Sequence, residues 1–193
     1  MKLKRIIFSL VAIILPTSVN AALITIDFQQ LAHADSFTTP TPNNVQYIEE
    51  GFLLDALTGT FATYGTQYTP GYSGSTALFN NSFNGVTQLS KSGGGIFNLL
   101  SIDLAKLGSP GPVYVTFTTN HGDTQTFNPT TINPATTFSF NPSFQGITSV
   151  AWTQLSPSHQ FDNIVVSTVP VPAAILLFGS GLIGLFGLAR SKY

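Results

Sequence analysis

Between Leu23 and Thr168 apolar and polar residues alternate in short runs, and breaks rich in Gly, Pro, Asn and Ser recur every eight to twelve positions. A period of two sends successive side chains to opposite faces of a strand, whereas an amphipathic helix needs a period near 3.6, which no stretch here sustains. The alternation predicts strands at Leu23 to Phe28, Val45 to Leu54, Thr60 to Tyr64, Ser75 to Phe79, Gly85 to Leu89 and Gly95 to Leu104. Five more follow, at Val113 to Thr119, Asp123 to Phe127, Thr136 to Phe140, Ile147 to Thr153 and Phe161 to Ser167. In the first of these five, Val113, Val115 and Phe117 share one face and Tyr114, Thr116 and Thr118 the other, the signature of a half-buried strand. The turn Asn120-His121-Gly122-Asp123 then folds the chain back as a hairpin. Eleven such strands, with prolines at 129, 134 and 142 marking turns, predict an all-β fold, an antiparallel β-sandwich of the jelly-roll type.

The alternation stops at both ends. Lys2, Lys4 and Arg5 precede a ten-residue run from Ile6 to Leu15 broken only by Ser9, and Pro16 then leads to Val19-Asn20-Ala21. A basic start, a short apolar stretch and small residues before a cut are the parts of a secretory signal peptide, so residues 1–21 are expected to be removed after Ala21. Ten residues at about 1.5 Å each reach only half of a bilayer core of about 30 Å, too short for an anchor. The other end differs. Val169-Pro170-Val171-Pro172 is followed by seventeen uncharged residues, 173–189, and by Arg190-Ser191-Lys192-Tyr193. As a helix that stretch spans about 25 Å, enough to be read as a transmembrane segment. Arg190 and Lys192 are membrane-stop charges that hold the tail in the cytoplasm and leave the body outside.

These residues carry a resemblance. The tail from Val169 to Lys192 resembles the PEP-CTERM sorting signal of Gram-negative bacteria in its variant form, Val-Pro-x-Pro-Ala-Ala followed by Leu-Phe-Gly-Ser-Gly-Leu, here Val169 to Ala174 and Leu177 to Leu182. Val171 stands where the namesake motif has Glu, and the basic end is shorter than in many members. The resemblance implies recognition of the sorting motif Val169, Pro170, Val171 and Pro172 by an exosortase. That membrane enzyme cuts near the prolines and passes the body from the inner membrane to the envelope or the extracellular matrix. It further implies a link to exopolysaccharide and biofilm formation. It covers about 25 of 193 residues and bears on routing alone.

Composition sharpens this picture in three ways. Only 8% of residues are charged, and five of the seven basic ones lie in the two end segments. Residues 22–168 therefore hold Lys91 and Lys106 against eight acids, a net −6, which excludes a nucleic-acid partner, since phosphate binding requires clustered Lys and Arg. Cysteine is absent, and with it disulfides, thiolate metal sites and cysteine nucleophiles.

Candidate chemistry is sparse. His33, His121 and His159 all fall in turn-like contexts, Gly71-Tyr72-Ser73-Gly74 lacks the spacing of a nucleophile elbow, and Gly93-Gly94-Gly95 lacks the lysine and helix of a phosphate loop. Adjacent Glu49 and Glu50 point to opposite faces of a strand and cannot act as a hydrolytic pair. No catalytic residues are assigned. Two binding features remain. Tyr64, Tyr68 and Tyr72 are spaced four apart in a stretch broken by Pro70 and glycines, an aromatic loop that either contacts sugar rings or caps one end of the sandwich. Asp27 closes the first predicted strand and Asp162-Asn163 lie at the start of the last, so if the termini pair, their oxygens either ligate calcium or satisfy backbone donors. No other cofactor is expected. Three functions fit: a structural or adhesive matrix component, a carbohydrate-binding module, or a secreted hydrolase.

Overall fold

The computed structural model describes residues 21–35, 44–68, 71–108, 110–155 and 158–168. The expected signal peptide before Ala21, the expected sorting motif Val169 to Pro172, the expected transmembrane segment 173–189 and the charges Arg190 and Lys192 lie outside the described residues. No helix among the described residues is long and apolar enough to cross a membrane.

Among the described residues, twelve strands form two six-stranded antiparallel sheets, a β-sandwich. They are β1 (Leu23–Ile26), β2 (Gln46–Glu49), β3 (Phe52–Thr58), β4 (Phe61–Thr63), β5 (Leu78–Asn80) and β6 (Val86–Lys91), followed by β7 (Phe97–Lys106), β8 (Val115–Thr119), β9 (Thr124–Phe127), β10 (Thr136–Ser139), β11 (Ser149–Thr153) and β12 (His159–Thr168). One sheet runs β10-β7-β12-β5-β4, with β1 also on β12, and the other β2-β3-β6-β11-β8-β9. Short 3-10 turns at Gln29–Leu31 and Pro142–Phe144 are the helical elements among the described residues.

Eleven predicted strands become twelve because the stretch from Val45 to Leu54 is two strands, not one. Glu50 and Gly51, at φ 49° and 77°, make a two-residue turn that folds β3 back on β2. Positive φ at both central positions is the hairpin-turn geometry whose twist matches that of the flanking strands. Glu49 therefore ends β2 facing inward, and Glu50 sits exposed in the turn rather than on the opposite face of a continuous strand.

The core explains the pattern. Inward positions of both sheets converge in one cluster in which aromatic rings make the contacts between sheets: Phe28 with Tyr47 (centroids 5.5 Å), Phe52 with Phe97 (5.2 Å) and Phe161 with Trp152 (5.0 Å, edge to face). Such pairs add about 0.5–1.5 kcal/mol each beyond the area they bury. β12 is the hub: β7 covers one of its edges, while β5 and β1 share the other, Phe161 opposite Leu78 and Val166 opposite Ile24.

Candidate functional site

The expected aromatic loop is built inward. Tyr64 stacks on Tyr68 (centroids 4.7 Å, 21° between planes) and on Phe79 (4.8 Å, 27°). Gly71 presses against the edges of both tyrosine rings, where a Cβ would overlap them, and its carbonyl accepts from the buried Gln160 Nε2 at 2.8 Å. Gly65 is equally constrained, since a Cβ there would overlap the Asp35 backbone. Burial, and secondarily the neighbouring Tyr68, pushes the Tyr64 hydroxyl pKa up. Tyr64, Tyr68 and Tyr72 are all half-buried, and the Tyr72 N–H donates to the Tyr68 carbonyl.

Beside this stack lies a cleft of about 330 Å³ lined by Tyr64, Phe79, Asn80, Asn81, Ser82, Phe83, Leu107, Gln154 and Ser158. Its lining is aromatic, aliphatic, amide and hydroxyl, with no Asp, Glu, His, Lys or Arg among those residues. One wall is the β5–β6 turn, which is fastened from several sides. The buried Asn80 side chain fills the space between Gly59 and Gly85 and donates to the Thr58 carbonyl at 2.9 Å. Asn81 N–H donates to Thr60 O at 2.7 Å, Asn84 N–H to Gln154 O at 2.8 Å and Gln154 N–H to Gly85 O at 2.8 Å. Gln154, itself 3% exposed, is held further by its Nε2 donating to His159 O at 2.9 Å. Sequence patterning did not single out Asn80, Phe83 or Gln154. The signal available was the Asn-rich turn Asn80-Asn81-Ser82-Phe83-Asn84-Gly85, an aromatic set among turn residues.

The acidic residues gather elsewhere. β1 leaves β12 with Ile26 opposite Ile164, so Asp27 comes next to the bulge at Asp162 and Asn163, where Asn163 takes φ 45°. Asp27 and Asp162 do meet electrostatically, as the expectation of paired termini required, and Asp103 and Glu49 join them. Asp162, 1% exposed, has its pKa pushed up to about 7, first by burial and then by the like charges of Asp103 and Asp27, against hydrogen bonds from Ser75 and the Asn163 N–H (2.7 Å). Glu49 is also raised, chiefly by burial, while it accepts from Phe28 N–H and Tyr47 Oη at 3.1 Å each. Asn163 turns its Nδ2 donor toward Asp103 (2.9 Å) and Asp162 (3.4 Å). That is the wrong end for a cation ligand, and no group of three or more His, Cys, Asp or Glu among the described residues is arranged to hold a metal. The cluster is a hydrogen-bonded set of acids in which burial raises the pKa of Asp162 and of Glu49. Asp162 and Asn163 lie inside β12, not at its opening.

Of the histidines His33 and His159, His159 differs from expectation and His33 does not. His159, placed in a turn by its sequence context, begins β12 and is 1% exposed, and burial lowers its pKa to about 3. His33, half-buried, pairs through Nε2 with Thr63 Oγ1 at 3.0 Å.

No protein-family profile and no curated protein matches the chain. Its similar solved structures are carbohydrate-binding modules. A single-residue variant of the family 29 module CBM29-2 is 14% identical, covering 77% of this chain and 92% of that one at a TM-score of 0.43. Another family 29 module is 16% identical (78% and 90% covered, TM-score 0.40), and CBM29_1 from Piromyces equi is 13% identical (78% and 93%, TM-score 0.41).

Proposed function

We propose that this is an exported envelope or matrix protein whose sandwich binds polysaccharide in the cleft beside Tyr64. The observation that carries the binding is the cleft itself: a recess of about 330 Å³ with aromatic walls, convergent amides and hydroxyls, and no charged side chain among its described lining residues. Pyranose rings present apolar C–H faces and a rim of hydroxyls, and such a lining meets both kinds of surface. Hydrolysis is the weaker reading, because general acid–base work needs carboxylates at the scissile bond and the four clustered acids are not among the cleft residues.

Routing rests on the two ends of the chain. Signal-peptide removal after Ala21, passage through the inner membrane and exosortase processing near Pro170 and Pro172 place the body outside the cell, where exopolysaccharide is its partner. Binding is tested by titrating the purified full chain with soluble polysaccharides. Asn81→Arg, at an exposed position in the cleft lining, is expected to abolish heat of binding without shifting the melting temperature. Retained binding in that variant removes the cleft from the reading. Routing is tested by the mass of the protein recovered from producing cells: a mature chain that still contains residues 169–193 in cells possessing an exosortase refutes sorting.

A further inference from the structure

Phe83 is 71% exposed, a large apolar side chain left in water at the mouth of the cleft. Phenylalanine is among the residues most often fully buried, so its exposure on a loose loop would be unremarkable but its exposure on a rigid one calls for a reason. The turn that presents it is rigid. Asn84 takes the left-handed conformation at φ 60°, and Gly85 N–H donates to Ser82 O at 2.9 Å across the turn. Thr58 Oγ1 accepts from Val86 N–H at 2.9 Å and donates to Asn84 O at 3.3 Å, tying the turn to the end of β3. Asn80 and Gln154 lock its two flanks, as described above. Gly59 and Gly85 leave the space that the Asn80 amide occupies, so the turn cannot drift without breaking the part-buried hydrogen bond from Asn80 to Thr58 O. A preorganised ring loses little freedom on binding. Asn81, Ser82 and Ser158 in the same lining supply hydrogen-bonding groups.

We propose that Phe83 is the platform on which one pyranose ring stacks, and that the ligand is an uncharged polysaccharide. This rests on the polysaccharide reading of the cleft and adds its specificity. The class follows from charge. With no cation among the described lining residues to pair a carboxylate or sulfate, a polyuronate would leave its charges unpaired at an apolar mouth, on a body whose net charge is −6. A neutral glycan with a C–H face presents nothing that the site fails to match.

The test uses the purified full chain and Phe83→Ala, Phe83→Trp and Asn81→Arg, titrated with a soluble β-glucan, a galactomannan and a polyuronate at low and high salt. Phe83→Ala is expected to bind the neutral polymers about tenfold more weakly, about 1.4 kcal/mol, with an unchanged melting temperature because the side chain packs little. Phe83→Trp retains binding, and the parent affinity does not change with salt. Equal binding by parent and Phe83→Ala, with loss only in Asn81→Arg, overturns the platform and leaves the cleft. Preference for the polyuronate, weakening as salt rises, overturns the uncharged class. Absence of binding by the parent to all three polymers removes the polysaccharide reading and this inference with it.

Discussion

Replacing Asp162 by asparagine isolates the energetic weight of the acid cluster. The buried carboxyl has a pKa of about 7 in the fold against an ordinary value of 3.8, so the folded state holds its proton more tightly than the unfolded state does. A raised acid pKa means that the contribution is full below about pH 4 and is lost as pH climbs through 7, where the fold must carry an ionised group that is 1% exposed. At about 1.4 kcal/mol per unit, a shift of about three units amounts to about 4 kcal/mol, a large share of the usual 5–15 kcal/mol of a domain. His159 works in the opposite sense. Its pKa of about 3 lies below the ordinary 6.5, so its contribution is present above 6.5 and is lost as pH falls toward 3. The two slopes offset each other in the parent between about pH 4 and about pH 6.5. Asp162→Asn keeps an oxygen for the Asn163 N–H and mimics the protonated acid, which removes one slope. The assay is urea unfolding followed by the fluorescence of Trp152, the single tryptophan of the chain and 2% exposed, at fixed ionic strength. The variant should gain about 4 kcal/mol on the parent between about pH 4 and about pH 8, since titrations common to both cancel in the difference. A difference that does not change over that interval refutes the placement of Asp162 as a buried, protonated acid.

Two further outcomes follow from the packing. Gly85→Ala puts a Cβ onto the Asn80 amide and is expected to destabilise by about 1–3 kcal/mol in thermal melts, while Gly122→Ala, with open space around it, loses only the strain of its positive φ. Phe161→Ala empties the contact with Phe28 and Trp152 on the hub strand and should destabilise by about 3–5 kcal/mol, read as a lower urea midpoint with a shifted Trp152 emission.

Strand patterning was legible because it records burial directly: a residue that faces the core must be apolar whatever its partners, so Val115, Phe117, Val150 and Trp152 announce their face without any knowledge of the other sheet. The β2–β3 hairpin was not, because Glu50-Gly51 interrupts an otherwise continuous alternation and only the left-handed geometry at both residues reveals the turn. Tyr64 and Tyr68 were legible as an aromatic group but not in their direction, since a spacing of four does not say which way the rings lean.

The chain's own order of residues thus determined what is local: strand period, turn chemistry, a basic and apolar start, a proline-led apolar tail, and a body poor in charge. Tertiary structure decided what depends on register across sequence separations of tens to more than a hundred residues. Pairing of β1 with β12 brings Asp27 to Asp162, and the joining of the β5–β6 turn to the end of β11 sets Phe83 beside Gln154. A sandwich whose strands pair far along the chain stores its sites in that pairing. No single stretch of residues contains either the acid cluster or the cleft.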